Sequence, residues 1–235
     1  MSPTPAPRHS LVIPAYNEER RIVSFFDTIR AFDGELIVVC DGTDATAEVV
    51  DRIAHERPDL VIRCLRYKER LGKGGGVIAG LGAARAPLVG YVDADGSTSI
   101  DELIRLFSLL GSFDGVFGSR WVPGSHLEVR QGILRQLESR GFNLFIRCFF
   151  GLSFRDTQCG AKVFKKAAID PVLPHMVSRG FEFDVELLWR LARAGYTIGE
   201  FPIEWQNKGE SHVERRDMIR MLTGLVRVRL HAGSP

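Results

Sequence analysis

The chain is short of cysteine, of long apolar runs and of net charge, and each shortage excludes a class of protein. Four cysteines (Cys40, Cys64, Cys148 and Cys159) are scattered over 235 residues without a CxxC pair. That spacing argues against a disulfide framework or a cysteine-held zinc, and fits reduced thiols. No stretch approaches the ~18 apolar residues that a membrane-spanning helix requires; the apolar run from Phe142 to Phe154 is interrupted by Arg147. The first nine residues hold three prolines and no apolar core, unlike a secretory leader, and residues 1–9 are expected to be a disordered tail. Lys and Arg number 31 against 29 Asp and Glu, a net +2, which gives no global pull toward nucleic acid. The six histidines form no ligand-like pair. A cytoplasmic protein is expected.

The apolar content, 45%, is that of a folded domain, and the chain length suits one domain. Ser10 to Ile13, Leu36 to Cys40, Leu60 to Leu65 and Leu88 to Val92 are short apolar runs that predict buried strands. Between them lie helical patterns. Ile22, Phe25, Phe26, Ile29 and Phe32 repeat at helical spacing behind a candidate cap at Asn17; Val49, Val50 and Ile53 follow a cap at Thr43 or Asp44. A glycine cluster opens a third helix that Pro87 stops, and Ile100 to Leu110 reads as a fourth. Alternation of this kind predicts an α/β fold with a doubly wound, mostly parallel sheet covered on both faces. The second half is less regular. Gly115 to Ser119, Ala161 to Phe164 and Thr197 to Trp205 read as strands. Leu134 to Phe150 and Asp184 to Ala194 read as helices. Residues 10–212 are expected to form one domain. Residues 213–235 read as a basic amphipathic helix, with Met218, Met221, Leu222 and Leu225 on one side.

Ligands of open parallel sheets bind beyond the carboxyl ends of the strands, and three predicted ends here are polar. The first runs into Pro14-Ala15-Tyr16-Asn17-Glu18, the second into Asp41-Gly42, the fourth into Asp93-Ala94-Asp95-Gly96. Asp and Gly are ordinary turn formers, so each alone could be structural. The Asp93-Ala94-Asp95 triplet is the sharpest of the three. Two carboxylates one residue apart suit Mg²⁺ or Mn²⁺, which complete their shells with water and phosphate oxygens. Gly72-Lys73-Gly74-Gly75-Gly76 is no P-loop, because Gly follows the Lys. It could receive a phosphate at a helix N-terminus, with Lys73 in contact, or simply let the helix pack close to the sheet. Gly74, Gly76 and Ala79 also match the spacing of a dinucleotide fingerprint, but charged residues precede them.

Taken together these pieces resemble glycosyltransferase family 2, with its GT-A fold, and within it the polyprenyl-phosphate sugar transferases (dolichyl-phosphate glucosyltransferases and mannose synthases). The matching segments are VIPAYNEE (Val12 to Glu19), VVCDGTDAT (Val38 to Thr46), LGKGGGVIAGL (Leu71 to Leu81) and YVDADGS (Tyr91 to Ser97). They continue with GSR (Gly118 to Arg120), SHLE (Ser125 to Glu128), RDTQCGAKVF (Arg155 to Phe164), FEFDVELL (Phe181 to Leu188) and FPIEW (Phe201 to Trp205). The RDTQCG piece with FDVELL is the most specific and points to the glucosyl branch. The resemblance implies a nucleotide site at Pro14, Ala15, Tyr16, Glu18, Asp41, Lys73, Asp93 and Ala94, and a metal held by Asp93 and Asp95. Two positions depart from the family pattern: Ser97 stands where mannose synthases often carry Gln, and Cys40 where the usual DDGS has its first Asp.

The implied reaction is transfer of a hexose from a nucleotide sugar to a polyprenyl or dolichyl phosphate, dependent on Mg²⁺ or Mn²⁺ and inverting. A phosphate acceptor is already anionic near neutral pH and requires no base. Arg120 is the first candidate for its clamp, against an intramolecular ion pair as the alternative; Arg130 and Lys208 follow. A hydroxyl acceptor would require a carboxylate base, for which Asp156 and Asp184 are candidates. Gln158 is expected on the acceptor side. The aromatic helix and the arginine-rich last helix could lie on a membrane, or a separate membrane subunit could take that part. A nicotinamide-dependent oxidoreductase and a non-catalytic nucleotide-binding protein are the readings from other classes.

Overall fold

A computed structural model describes residues 7–127, 133–206 and 215–231, with side chains except those of 133–140 and 215–219. Along the chain run β1 (His9–Ala15), α1 (Arg21–Asp27), β2 (Gly34–Cys40), α2 (Thr46–Glu56), β3 (Val61–Arg66), α3 (Gly72–Ala83), β4 (Leu88–Val92) and α4 (Ile100–Leu109). The second half adds β5 (Gly115–Ser119), β6 (His126–Leu127), α5 (Ile133–Phe150), β7 (Ala161–Lys165), α6 (Lys166–Ile169), α7 (Phe183–Arg193), β8 (Ile198–Pro202), β9 (Glu204–Trp205) and α8 (Arg215–His231).

Seven strands form one sheet in the order β3-β2-β1-β4-β7-β5-β8. All neighbours are parallel except β7, which runs antiparallel between β4 and β5. A second, two-stranded sheet pairs β6 with β9. Alternate strand residues face opposite layers. Leu11, Ile13, Leu36 and Val38 pack under α1, α2 and α4; Val12, Ile37, Val39 and Tyr91 pack under α3, α6 and α7. A third cluster joins Ile146 and Phe150 of α5, Val185 and Trp189 of α7, and Leu225 and Val228 of α8.

The sequence expectations hold for element order and sheet type, with local differences. β1 starts at His9, inside the segment expected as tail: its ring lies 4.6 Å from that of Phe107, and Nδ1 is 2.8 Å from the Asp33 carbonyl. Asn17 caps no helix. It takes the left-handed region at φ 55°, and its Oδ1 accepts the Thr43 amide at 2.9 Å, tying the β1 turn to the β2 turn. Thr43 caps nothing either; the Asp44 carboxylate accepts the Thr46 amide that opens α2. α1 ends at Asp27, although Ile29 and Phe32 remain buried beyond it. The run from Thr197 to Trp205 is two strands, because the chain changes sheets at Ile203. On α8 the buried stripe is Met221, Leu225 and Val228, whereas Leu222 faces out with Val226 and Leu230.

α3 sits unusually close to the sheet. A Cβ on Gly80 would lie 2.3 Å from Val12 Cγ1, so only glycine permits this helix–sheet distance. Gly80→Val should therefore destabilise the fold by about 1–3 kcal/mol through overpacking, read as a lower urea midpoint with an unchanged m-value.

Candidate active site at the carboxyl edge of the sheet

The turns after β1, β2 and β4 converge, as parallel topology requires. Pro14 and Ala15 end β1 beside Val39 and Cys40. Tyr16 follows, 41% exposed, with the Arg70 guanidinium 3.9 Å above its ring centre. Glu18 holds Arg21 through two hydrogen bonds of 2.6 Å. Asp41 turns its carboxylate to the start of α3, accepting the Leu71 and Gly72 amides at 2.8 and 3.1 Å. That contact fixes where the glycine-rich helix begins. Gly74 is a packing device, since a Cβ there would meet Phe183 at 2.5 Å, whereas one on Gly76 would make ordinary contact 3.5 Å from Pro14. They lie within α3, which starts after a five-residue connection from β3, and not in a tight strand-to-helix turn. The nicotinamide reading loses its support there.

Asp93, Ala94 and Asp95 follow β4. Ala94 is buried, Asp93 is partly exposed, and Asp95 accepts the Ser97 amide at 2.8 Å through one oxygen. The Ser97 carbonyl in turn receives the Gln206 amide at 2.9 Å, so the chain after β9 braces this turn. Lys73, from the first turn of α3, places its ammonium 2.7 Å from Asp93 Oδ1 and 4.0 Å from Asp184 Oδ2. Burial works against the Lys73 charge, yet Asp93 and Asp184 more than offset it and raise its pKa. A cation thus already stands at the Asp93 carboxylate. Among the described residues no group of three or more His, Cys, Asp or Glu could hold a metal. Two carboxylates are what Mg²⁺ or Mn²⁺ takes when a diphosphate supplies further oxygens, so the residues fit such an ion.

Behind this edge lies a set of buried charges that periodicity did not anticipate. Lys162, in the middle of β7, is fully buried and pairs across the sheet with Tyr91 and Phe117. Its ammonium bonds Asp184 Oδ1 and the Cys159 carbonyl, and the Tyr91 hydroxyl donates to the same Asp184 oxygen. Burial, then Asp184, push the Tyr91 phenol up. A lone Lys in the apolar run Ala161-Lys162-Val163-Phe164 was the available signal.

The loop 155–160 reaches Arg120, Lys162, Met221 and Asp93. The Asp156 carboxylate, fully buried, accepts Arg120 Nε, Nη2 and backbone N at 2.7, 2.9 and 3.0 Å. Burial alone would raise its pKa, but the Arg120 guanidinium lowers it below the ordinary carboxylate range. Glu200 in turn accepts the Arg155 and Asp156 amides. Gln158 reaches Met221 of α8. Burial, then Asp156, push the Cys159 thiol up to about 12. Gly160 lies against Asp93, where a Cβ would stand 2.0 Å from Oδ2. Arg130 and Lys208 lie outside the described residues.

A seven-stranded sheet whose carboxyl edge gathers a Tyr-Asn-Glu turn, an acid after β2 and an Asp-Ala-Asp turn after β4 is the architecture of GT-A glycosyltransferases. A mannosyltransferase from Pyrobaculum calidifontis, solved with GDP-Man and Mn²⁺, shares this fold with a TM-score of 0.69 and 22% identity over 99% of this chain and 66% of its own. Residues 10–173 match the model of Glycosyl transferase family 2, and the chain belongs to that family. Glycosyltransferase AglD of Haloferax volcanii is 35% identical over 227 residues, 92% of this chain and 35% of AglD. The dolichyl-phosphate beta-glucosyltransferase ALG5C of Trichomonas vaginalis is 34% identical over 240 residues, 94% of this chain and 71% of that protein. The chain therefore spans about a third of one relative and seven-tenths of the other. No helix among the described residues is long and apolar enough to cross a membrane.

Two outcomes follow from the geometry. Gly160→Ala should push Asp93 aside and weaken Mn²⁺ binding at least about fivefold while the circular dichroism spectrum stays native. Asp156→Asn leaves a buried guanidinium without its counter-ion and should cost about 3 kcal/mol at neutral pH. Because the folded pKa of Asp156 is depressed, its contribution is present above the unfolded value and lost as pH falls through the folded one. The difference between wild type and variant in urea titrations should therefore persist at pH 7 and shrink only below about pH 4.

Proposed function

We propose that this chain transfers a hexose from a nucleotide sugar of the UDP-glucose or GDP-mannose type to a polyprenyl or dolichyl phosphate, with inversion and with Mg²⁺ or Mn²⁺. The observation that carries the acceptor assignment is the state of Asp156 and Asp184. Both carboxylates are buried and salt-bridged, Asp156 to Arg120 and Asp184 to Lys162. Neither is free to take a proton from a hydroxyl, which disfavours a hydroxyl acceptor relying on them. A lipid monophosphate brings its own anionic nucleophile. The name of the Trichomonas relative favours glucose as the sugar and dolichyl phosphate as the acceptor.

Each residue then has a defined part. Pro14, Ala15, Tyr16, Glu18 and Asp41 form the wall for base and ribose, with the exposed Tyr16 ring as its flat surface. Asp93 and Asp95 would hold the divalent cation, which neutralises charge on the departing nucleoside diphosphate; Lys73 and the Ala94 backbone border the same diphosphate. Arg120 has Nε and Nη2 occupied by Asp156, so its orientation is fixed and its remaining N–H edge is left for the acceptor phosphate. Arg130, Gln158 and Lys208 are secondary candidates on that side. Attack by the phosphate oxygen opposite the leaving diphosphate inverts the anomeric carbon, and no proton has to move.

The lipid acceptor implies a membrane surface, and α5 with α8 is the face we assign to it. Leu144, Phe145, Leu222, Val226 and Leu230 are exposed there, and Arg220, Arg227 and Arg229 border the α8 stripe. Apolar side chains flanked by arginine suit anionic lipid. We read the location as cytoplasmic and peripheral to the membrane, with a separate membrane subunit as the other way to reach the lipid.

Purified protein should release nucleoside diphosphate from a nucleotide sugar only when Mg²⁺ or Mn²⁺ and a short polyprenyl phosphate are both present. Chelation and Asp95→Ala should each abolish that release. Donor binding without lipid-stimulated transfer would sink the assignment. Co-sedimentation with phosphatidylserine vesicles should fall with added salt and with Val226→Glu.

A further inference from the structure

We propose that Asp184, held in place by Lys162, is the site that receives the Lys73 ammonium when a divalent cation arrives at Asp93 and Asp95. The inference rests on the metal reading given above and adds a part for three residues beside it. Lys73 stands between two carboxylates of unlike character. Asp93, 2.7 Å away, is partly exposed at the sheet edge; Asp184, 4.0 Å away, is almost fully buried. A divalent cation at Asp93 competes with the ammonium for that carboxylate, because like charges that close repel. An ammonium displaced from Asp93 while partly buried needs another counter-ion. Asp184 Oδ2 is 4.0 Å from it, and a movement of about 1 Å reaches hydrogen-bond distance. The Phe181 ring, 5.8 Å from the ammonium, lies at the beginning of the same segment.

Asp184 is built for that reception. Its Oδ1 takes the Lys162 ammonium and the Tyr91 hydroxyl, whereas Oδ2 faces Lys73. Lys162 cannot drift, since it is fully buried, bonded to the Cys159 carbonyl and flanked by the Tyr91 and Phe117 rings at 5.5 and 5.8 Å. Lys162 and Asp184 are positioning residues. Both are buried, and they set where Lys73 rests.

The test is Mn²⁺ binding in saturating UDP or GDP, whose diphosphate completes the shell that Asp93 and Asp95 begin, followed by electron paramagnetic resonance of the free ion against a protein-free blank. Wild type, Lys73→Met, Asp184→Asn and the charge-balanced pair Lys162→Met with Asp184→Asn are compared, each checked for a native thermal transition. The pair keeps the interior neutral where Asp184→Asn alone would strand Lys162. Lys73→Met removes the competing cation and should tighten Mn²⁺ at least about fivefold, whereas loss of Asp184 should weaken it by a similar factor. Adding Lys73→Met to the pair should erase that weakening, because no ammonium then seeks a new partner. Unchanged Mn²⁺ affinity in Lys73→Met would overturn the proposal. So would a weakening from Asp184 loss that persists without Lys73, which would mean direct attraction between Asp184 and the ion. If wild type binds no Mn²⁺, or if binding survives Asp95→Asn, the metal reading itself fails and this inference goes with it.

Discussion

A lysine ammonium with no access to water sits in the middle of the central sheet, and its demand for counter-charge organises the half of the molecule around it. Burying Lys162 is tolerable only because Asp184, Tyr91 and the Cys159 carbonyl converge on it from α7, β4 and the loop before β7. Each of those elements also reaches the sheet edge. β4 continues into Asp93-Ala94-Asp95, α7 presents the second oxygen of Asp184 to Lys73, and the loop lays Gly160 against Asp93. Charge alternates from the interior outward: Lys162, Asp184, Lys73, Asp93. Replacing any member alone leaves a neighbour without compensation, which is why a position deep in the sheet bears on an exposed carboxylate.

Arg120 and Asp156 repeat this logic as a different pair. Asp156 is spent entirely on Arg120, and the loop that carries it is held by Glu200 of β8. The antiparallel β7 makes both arrangements possible. It brings the loop 155–160 back between β4 and β5, so that Asp93 after β4 and Arg120 after β5 are linked through one strand and its loop.

Much of this was legible from residue patterns, and the reasons for the exceptions are physical. Strand runs and helical periodicity in the first 110 residues marked the parallel half, because burial on both faces imposes near-continuous apolar strands. The turns at Asp41 and Asp93 were visible because acids at strand ends need a cause. Burial without periodicity was not visible: the partners of Lys162 come from residues 91, 159 and 184, and no local pattern links them. The cap expected at Asn17 failed because its side chain is used 26 residues away, at Thr43. The split of β8 from β9 was hidden because the apolar run through Ile203 is continuous in sequence while the chain changes sheets. Gln158 was assigned through family resemblance alone, and the structure places it against α8.

Six of the twelve residues of α3 are glycine, and each costs about 1 kcal/mol against alanine in a helix. Such a segment has no tendency to coil by itself. Its helicity is borrowed from Val12 and Val39, which fill the groove its missing side chains leave, and from the Asp41 carboxylate that anchors its first turn. In the order of assembly, β1 and β2 must therefore be paired before α3 has a surface to settle on. Lys73 stands on that helix, so its place beside Asp93 depends on a finished pairing of two strands that it does not itself touch.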